Sequence, residues 1–281
     1  MSFTVSQKQG LTIATFNIQG KKVNDKHKST DFQNYAGYNF EKLSSELRKM
    51  NIRPNVISLT EVHIVDLRKF NQDLYKEINK VNYKIFTPKS CTLNKSCYKT
   101  SLGTCILVEE NIAKDFSLCD AKIVNKVMFH GKSCDIRECR IKSNELEVVS
   151  LYVKSGLSKN DKQSKETLTR LTKEMDSKLS SSNKVVYLGD FNFNLNHFDF
   201  AVDFLDTVQD FKNLVKDYEP WYSKYEFSDI QNLFTHIRKD GKKVKLDYII
   251  SNLKVQDYFS SQTIPNFSDH KLLVVLFKDE R

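Results

Sequence analysis

The chain has 281 residues, 40% of them hydrophobic and 28% charged, a balance that supports a buried core and excludes wholesale disorder. Its 8 glycines and 4 prolines are too few for a collagen-like, linker-rich or low-complexity protein, and no apolar run reaches the roughly 20 residues that a membrane-spanning helix needs. The net charge is +9, and its excess lies in the first half, where residues 1–140 carry 23 Lys+Arg against 14 Asp+Glu while residues 141–281 carry 21 against 21; a basic surface points to a polyanionic partner such as nucleic acid or an anionic membrane.

In chain order, residues 1–10 are polar and lack the apolar segment of a secretory signal, so they read as a tail on an intracellular protein. Residues 11–17 predict a strand that delivers its last side chains to the polar turn Asn17-Ile18-Gln19-Gly20. Phe40, Leu43, Leu47 and Met50 fall at helical spacing, and after Pro54 the run Val56-Ile57-Ser58-Leu59 reads as a short buried strand ending at Thr60-Glu61. A polar helix is expected over residues 66–80, followed by strands over 83–86, 102–108, 123–129, 134–141 and 146–153. All 6 cysteines lie between Cys91 and Cys139 without a Cys-x-x-Cys pair, which favours reduced structural thiols over a zinc knuckle or disulfides.

Leu168, Leu171, Met175 and Leu179 put one apolar stripe on a helix over 161–181, before a compact strand at 185–188. Phe200, Phe204, Val208, Phe211 and Val215 predict another helix, with Asp203, Asp206 and Asp210 on its wet side. Residues 234–238 and 244–251 flank Asp240-Gly241, a hairpin signal, and the last strand is 272–277. Strands and helices alternate without a linker. The expected fold is therefore α/β, with residues 11–281 as one domain of two packed, mainly antiparallel sheets flanked by helices.

Polar residues able to carry chemistry recur at the ends of these strands: Asn17, Glu61, Tyr152, Asp190 with Asn192, Asp247, and Asp269-His270. Strand ends of one sheet converge, so a rigid scaffold can unite residues distant in sequence. Each also has a purely structural reading: Asn17 as a turn residue, Glu61 as a surface carboxylate, Asp190 as a cap, Tyr152 as core, Asp247 as a partner of Lys245. Taken together, carboxylates, carboxamides, an imidazole and a phenol suit a hard divalent cation, magnesium with manganese as a substitute. Such a set fits metal-assisted hydrolysis of a phosphodiester, the cation stabilising oxyanion charge and a carboxylate activating water.

The segments Thr15-Phe16-Asn17-Ile18-Gln19-Gly20, Leu59-Thr60-Glu61-Val62-His63, Ser150-Leu151-Tyr152-Val153, Gly189-Asp190-Phe191-Asn192, Lys245-Leu246-Asp247-Tyr248-Ile249-Ile250 and Ser268-Asp269-His270 resemble, in order, the motifs of the endonuclease/exonuclease/phosphatase superfamily. Their style is most similar to apurinic-type and non-LTR retrotransposon endonucleases. The resemblance implies a four-layered α/β sandwich and a magnesium-dependent endonuclease acting on DNA, with RNA as an alternative substrate. Lipid- or inositol-phosphate hydrolysis and tyrosyl-DNA phosphodiesterase activity are the alternative reactions. It also implies roles. Glu61 would be the principal metal ligand, with Asp269 and Asn17 beside it; Asp190, supported by Asn192, would deprotonate the attacking water. His270 would contact the scissile phosphate with Asp247 orienting it, and Tyr152 would assist the leaving oxygen. The sequence departs from the pattern at Gln19, at Thr60 and after Val153, where relatives often carry Asp or Asn, Gln and Pro.

Two lysine runs are expected at loop tips beside the site, where they would hold DNA phosphates: Lys21 and Lys22 after the Asn17 turn, and Lys239, Lys242, Lys243 and Lys245 around Asp240-Gly241. Trp221-Tyr222 reads either as core or as an aromatic pair probing a groove. A monomer is expected.

Overall fold

The computed structural model describes residues 10–18, 31–62, 74–88, 103–122, 136–153, 162–192, 205–219, 234–238, 240–261 and 268–278. Seven strands form one sheet, in the order β13 (Val255–Ser260), β14 (Leu273–Phe277), β1 (Thr12–Asn17), β2 (Val56–Val62), β5 (Gly103–Glu109), β4 (Val81–Phe86) and β3 (Leu74–Ile78). Five form a second, in the order β12 (Asp247–Ser251), β9 (Lys184–Asp190), β8 (Leu146–Val153), β7 (Ile136–Lys142) and β6 (Ser117–Cys119). A small ribbon pairs β10 (His236–Ile237) with β11 (Lys243–Val244). The helices among the described residues are α1 (Asp31–Met50), the short α2 (Glu110–Ala113), α3 (Lys162–Leu179) and α4 (Leu205–Tyr218).

The layers follow from strand alternation. In β9, Val186 and Leu188 face the other sheet and share a core with Ile13, Val56, Ile106, Val148 and Ile249, while Val185 and Tyr187 face outward. That outer face is covered by Leu168, Leu171, Met175 and Leu179 of α3 and by Phe211, Leu214 and Val215 of α4. On the far side, Phe40, Leu43 and Leu47 of α1 cover Ile57, Leu59 and Leu107. Both faces of the central strands are therefore buried, which is why they read as continuous apolar runs. The expected four-layered α/β sandwich is the fold observed. Between the two sheets, the Ser150 hydroxyl hydrogen-bonds with those of Ser58 and Thr104.

The outer face of β7 buries charge instead. The Arg140 guanidinium is fully buried and pairs with Glu138 at 2.6 Å, with Glu147, and with Glu174 at 3.2 Å. Lys178 of α3 joins Glu147 at 2.9 Å, so this network ties helix to sheet.

The structure corrects three expectations. The polar helix expected over 66–80 is, in its described part, the edge strand β3, because Asn79 and Lys80 both take positive φ (53° and 62°) and close a two-residue hairpin onto β4. Its charged residues belong to a sheet edge, where they discourage edge-to-edge pairing. The strand expected over 244–251 is split: Lys243–Val244 pairs with β10, whereas Asp247–Ser251 pairs with β9 in the second sheet. β13 and β6, both edge strands, had no apolar run to announce them. The tail and the strand expected over 123–129 lie largely or wholly outside the described residues. Cys105, Cys119 and Cys139 are free thiols; Cys91, Cys97 and Cys134 lie outside.

Candidate active site

Topology gathers the polar strand ends at one place. β1 runs parallel to β2, and β8 parallel to β9, so their carboxyl ends carry Asn17, Glu61, Tyr152 and Asp190 to the same edge of the sandwich. β12 is antiparallel to β9 in a register that sets Asp247 opposite Asp190. β14 is antiparallel to β1, so the residues preceding it, Asp269-His270, arrive at the same end.

Local backbone distortions then aim the side chains. Glu61 has φ 55° and sits where the register between β2 and β5 shifts, between Thr60 and Val62; this bulge takes its carboxylate out of the strand's alternation. A left-handed non-glycine residue costs about 1–2 kcal/mol, and such strain gathers at functional sites. Asn192 is left-handed as well, at φ 51°. Gly189, at φ 135°, lets β9 lie close to β8: a Cβ there would stand 2.0 Å from the Leu151 carbonyl oxygen. Only glycine fits.

Asp190 is buried and held by two donors, the Asn17 side-chain amide at 2.9 Å on Oδ2 and the Asn192 backbone N–H at 2.9 Å on Oδ1. The Asn192 amide donates to the Val153 carbonyl at 2.7 Å, tying the two strand ends together. The Asp247 carboxylate lies 2.7 Å from His270 Nδ1, while the other ring nitrogen lies 3.9 Å from Asp190, 3.5 Å from Asp269 and 3.4 Å from the Asn17 amide. Ser268 locks the turn, its hydroxyl donating to the Asn17 carbonyl at 2.7 Å and accepting from the His270 N–H at 3.0 Å. Glu61 accepts hydrogen bonds from Asn17 and Tyr152.

The electrostatics are those of crowded carboxylates. Burial pushes Asp190 up to about 8, with Asp247 and Glu61 adding to the rise against the opposing charge of His270. Glu61 is raised by burial too, although His270, Asn17 and Tyr152 pull it back. Burial alone would depress His270; Asp247, Asp190 and Asp269 outweigh it and raise the imidazole to about 10, so it is a cation at neutral pH. The Tyr152 phenol is pushed well above its ordinary value by burial and by Glu61 and Asp190. It stays a proton donor. Asp247 Oδ1 is buried without a hydrogen-bond partner. The carboxylates of Asp190, Asp247, Glu61 and Asp269 beside one imidazolium fit a hard divalent cation, which Glu61, Asp269 and Asn17 would hold.

Among solved structures, three show the same architecture over nearly their whole length. An AP endonuclease from Archaeoglobus fulgidus aligns at 16% identity with TM-score 0.58, covering 95% of this chain and 99% of that one. The 3' phosphatase NExo from Neisseria, bound to product DNA hairpin, aligns at 12% identity with TM-score 0.58, covering 96% and 100%. An endonuclease/exonuclease/phosphatase family protein from Leptotrichia buccalis aligns at 14% with TM-score 0.51, covering 95% and 99%. The chain has the endonuclease/exonuclease/phosphatase fold. No protein-family profile matches the sequence, and no curated protein matches it.

Within this fold, all eight strand-end residues singled out from the sequence meet at one end of the sandwich. The lysines behave differently. Lys242 and Lys243 are exposed, and Lys21, Lys22, Lys239 and the Trp221-Tyr222 pair lie outside the described residues. Lys245 is a correction: it is buried, its ammonium 3.0 Å from Glu219 and 3.2 Å from the Asp247 carbonyl, so it faces the interior. Its neighbour in sequence, Asp247, gives its carboxylate to His270 instead.

Three side chains near the site, His236, Arg137 and Lys271, carry no signal in the sequence. His236 stacks on His270 with ring centroids 4.6 Å apart, and Arg137 lies 5.2 Å over the Tyr152 ring. Lys271 and Lys243 flank the Phe234 ring at 4.0 and 4.7 Å, and burial together with Lys243 depresses the Lys271 ammonium. His236 and Arg137 belong to no spaced motif and reach the site through β10 and β7, whereas Lys271 directly follows His270. No helix among the described residues is long and apolar enough to cross a membrane.

Proposed function

We propose that this chain is a divalent-cation-dependent phosphodiesterase, an endonuclease that hydrolyses DNA. The observation that carries the reading is the convergence of Asn17, Asp190, His270 and Asp247, with Asn17 hydrogen-bonded to Asp190 and Asp247 to His270, beside the strained, half-buried carboxylate of Glu61. When bound, magnesium would supply charge stabilisation for the phosphate oxygens, held by Glu61, Asp269 and Asn17. The protein's own groups do the rest. Asp190, fixed by Asn17 and Asn192 and raised to about 8, is matched to accept a proton from water near neutral pH. Cationic His270, oriented by Asp247, pairs with the phosphate, and Tyr152 donates its proton toward the leaving oxygen.

DNA as the substrate draws support from the net charge of +9, from exposed Lys242 and Lys243 on the ribbon that carries His236, and from the neighbours described as an AP endonuclease and as a phosphatase bound to DNA. The retrotransposon-endonuclease style of the motifs belongs to the same reading. Free Cys105, Cys119 and Cys139 accord with an intracellular protein, and we take it to act as a monomer. The test is cleavage of supercoiled plasmid, abasic duplex and RNA, with inositol phosphates alongside, in magnesium, in manganese and in chelator. Magnesium-dependent nicking of DNA is expected. Release of phosphate from inositol phosphates with no nicking would overturn the substrate, and turnover undiminished by chelator would overturn the mechanism.

A further inference from the structure

We propose that His236, Asp269 and His270 form a second cation site, overlapping the magnesium set at Asp269, that takes nitrogen-preferring ions of the zinc class and shuts off the chemistry when filled. The Asp269 carboxylate reaches one nitrogen of each imidazole, Oδ1 at 3.5 Å from His270 Nε2 and Oδ2 at 3.7 Å from His236 Nδ1. One donor atom from each of the three residues lies within 4.8 Å of the other two. Zinc bonds of ~2.0–2.1 Å in a tetrahedron set neighbouring ligands about 3.3 Å apart, so small side-chain rotations close this trio on an ion. The Asp269 side chain is 39% exposed against 15% for His236 and 5% for His270, so the ion enters from the Asp269 side and keeps a water as its fourth ligand.

The surroundings are those a metal-binding histidine needs. His270 directs its other ring nitrogen at the Asp247 carboxylate, 2.7 Å away, the carboxylate–histidine arrangement that fixes an imidazole for a metal. His236 is held by ring packing against His270 at 4.6 Å and by the backbone bridge between His236 and His270; its Nδ1, 3.1 Å from the Asp269 carbonyl, exchanges that hydrogen bond and its proton for the ion. Two nitrogen donors and one carboxylate favour zinc, cobalt or nickel over magnesium, which prefers the oxygen donors around Glu61. An ion here replaces the Nε2 proton of His270. It occupies the nitrogen that faces Asp190 and Asn17, so His270 no longer meets a phosphate as a cation.

Zinc chloride titrated into the full chain, followed by calorimetry in excess magnesium, tests the site. One zinc is expected to bind, at least about 10-fold more weakly to His236→Gln, with His236→Cys restoring affinity through its thiolate and Glu61→Gln leaving it unchanged. Thermal melting confirms that each variant is folded. Undiminished zinc binding by His236→Gln overturns the site, as does loss of zinc binding in Glu61→Gln equal to that in His236→Gln. Inhibition alone rests on the phosphodiesterase reading: zinc that saturates wild type should abolish nicking, whereas the nicking that His236→Gln retains should resist the same zinc. Zinc binding that depends on His236, in a chain that nicks no substrate under any condition, overturns the proposed function and leaves the site standing.

Discussion

Two clusters of buried charge sit on this fold, and they are built in opposite ways. Around Arg140 the carboxylates of Glu138, Glu147 and Glu174 converge on one guanidinium, and Lys178 adds a second cation to Glu147. At the strand ends Asp190, Asp247, Glu61 and Asp269 crowd one imidazolium. The first cluster holds Glu147 charged: burial would raise it, but hydrogen bonds from Lys178 and Arg140 pull it below the ordinary range. In the second, burial raises Glu61 and pushes Asp190 up to about 8. Buried charge is costly in either place. Where opposite charges come from the chain itself the cluster fastens helix to sheet, and where they fall short the shortfall suits a cation and an anionic substrate.

The contrast can be broken by mutation. The largest effect is expected for Asp190→Asn, which should lower cleavage by about 10²–10⁴-fold while leaving the melting temperature unchanged or higher, since it removes one of several like charges. A parallel collapse of stability would mean that Asp190 is structural. Arg140→Ala should do the reverse, costing about 3–5 kcal/mol in urea unfolding by stranding buried carboxylates, with cleavage per folded molecule retained. A loss under 1 kcal/mol would dissolve the distinction between the clusters.

A smaller effect is expected from pH. Because Glu147 is depressed in the folded state, its contribution to stability is present above its ordinary value of 4.5 and is lost as pH falls toward its folded value. Glu147→Gln should flatten that acid limb, and an unchanged limb would remove Glu147 from the account. The smallest effect belongs to Lys242→Ala on the exposed ribbon, which should leave stability within about 0.5 kcal/mol and reduce the salt slope of DNA binding by about 1. An unaltered slope would detach the ribbon from the DNA.

How legible the site was differs by residue. Asn17, Glu61, Asp190, Asp247 and His270 stood out because each ends or precedes a short apolar strand, and a buried strand must surface somewhere. Lys245 misled for the same local reason: it sits in a lysine-rich hairpin, yet its stem runs inward to Glu219, 26 positions earlier. The strand Leu74–Ile78 misled because Tyr75, Lys76 and Glu77 look helical and polar until the Asn79-Lys80 turn folds them onto β4. His236 carried no signal, since a lone histidine in a short ribbon acquires meaning only from the imidazole stacked against it.

By itself the sequence determined the layered α/β class, the order of the apolar strands and the residues standing at their ends, because burial on both faces imposes a pattern readable within a few residues. Which of those ends share an edge, which carboxylates face a cation and which face one another, and the pairing of His236 with His270 were decided by the tertiary structure alone. Strand direction and register join positions as much as 253 residues apart, as in Asn17 and His270, and electrostatic energy depends on distances in space that no local pattern encodes.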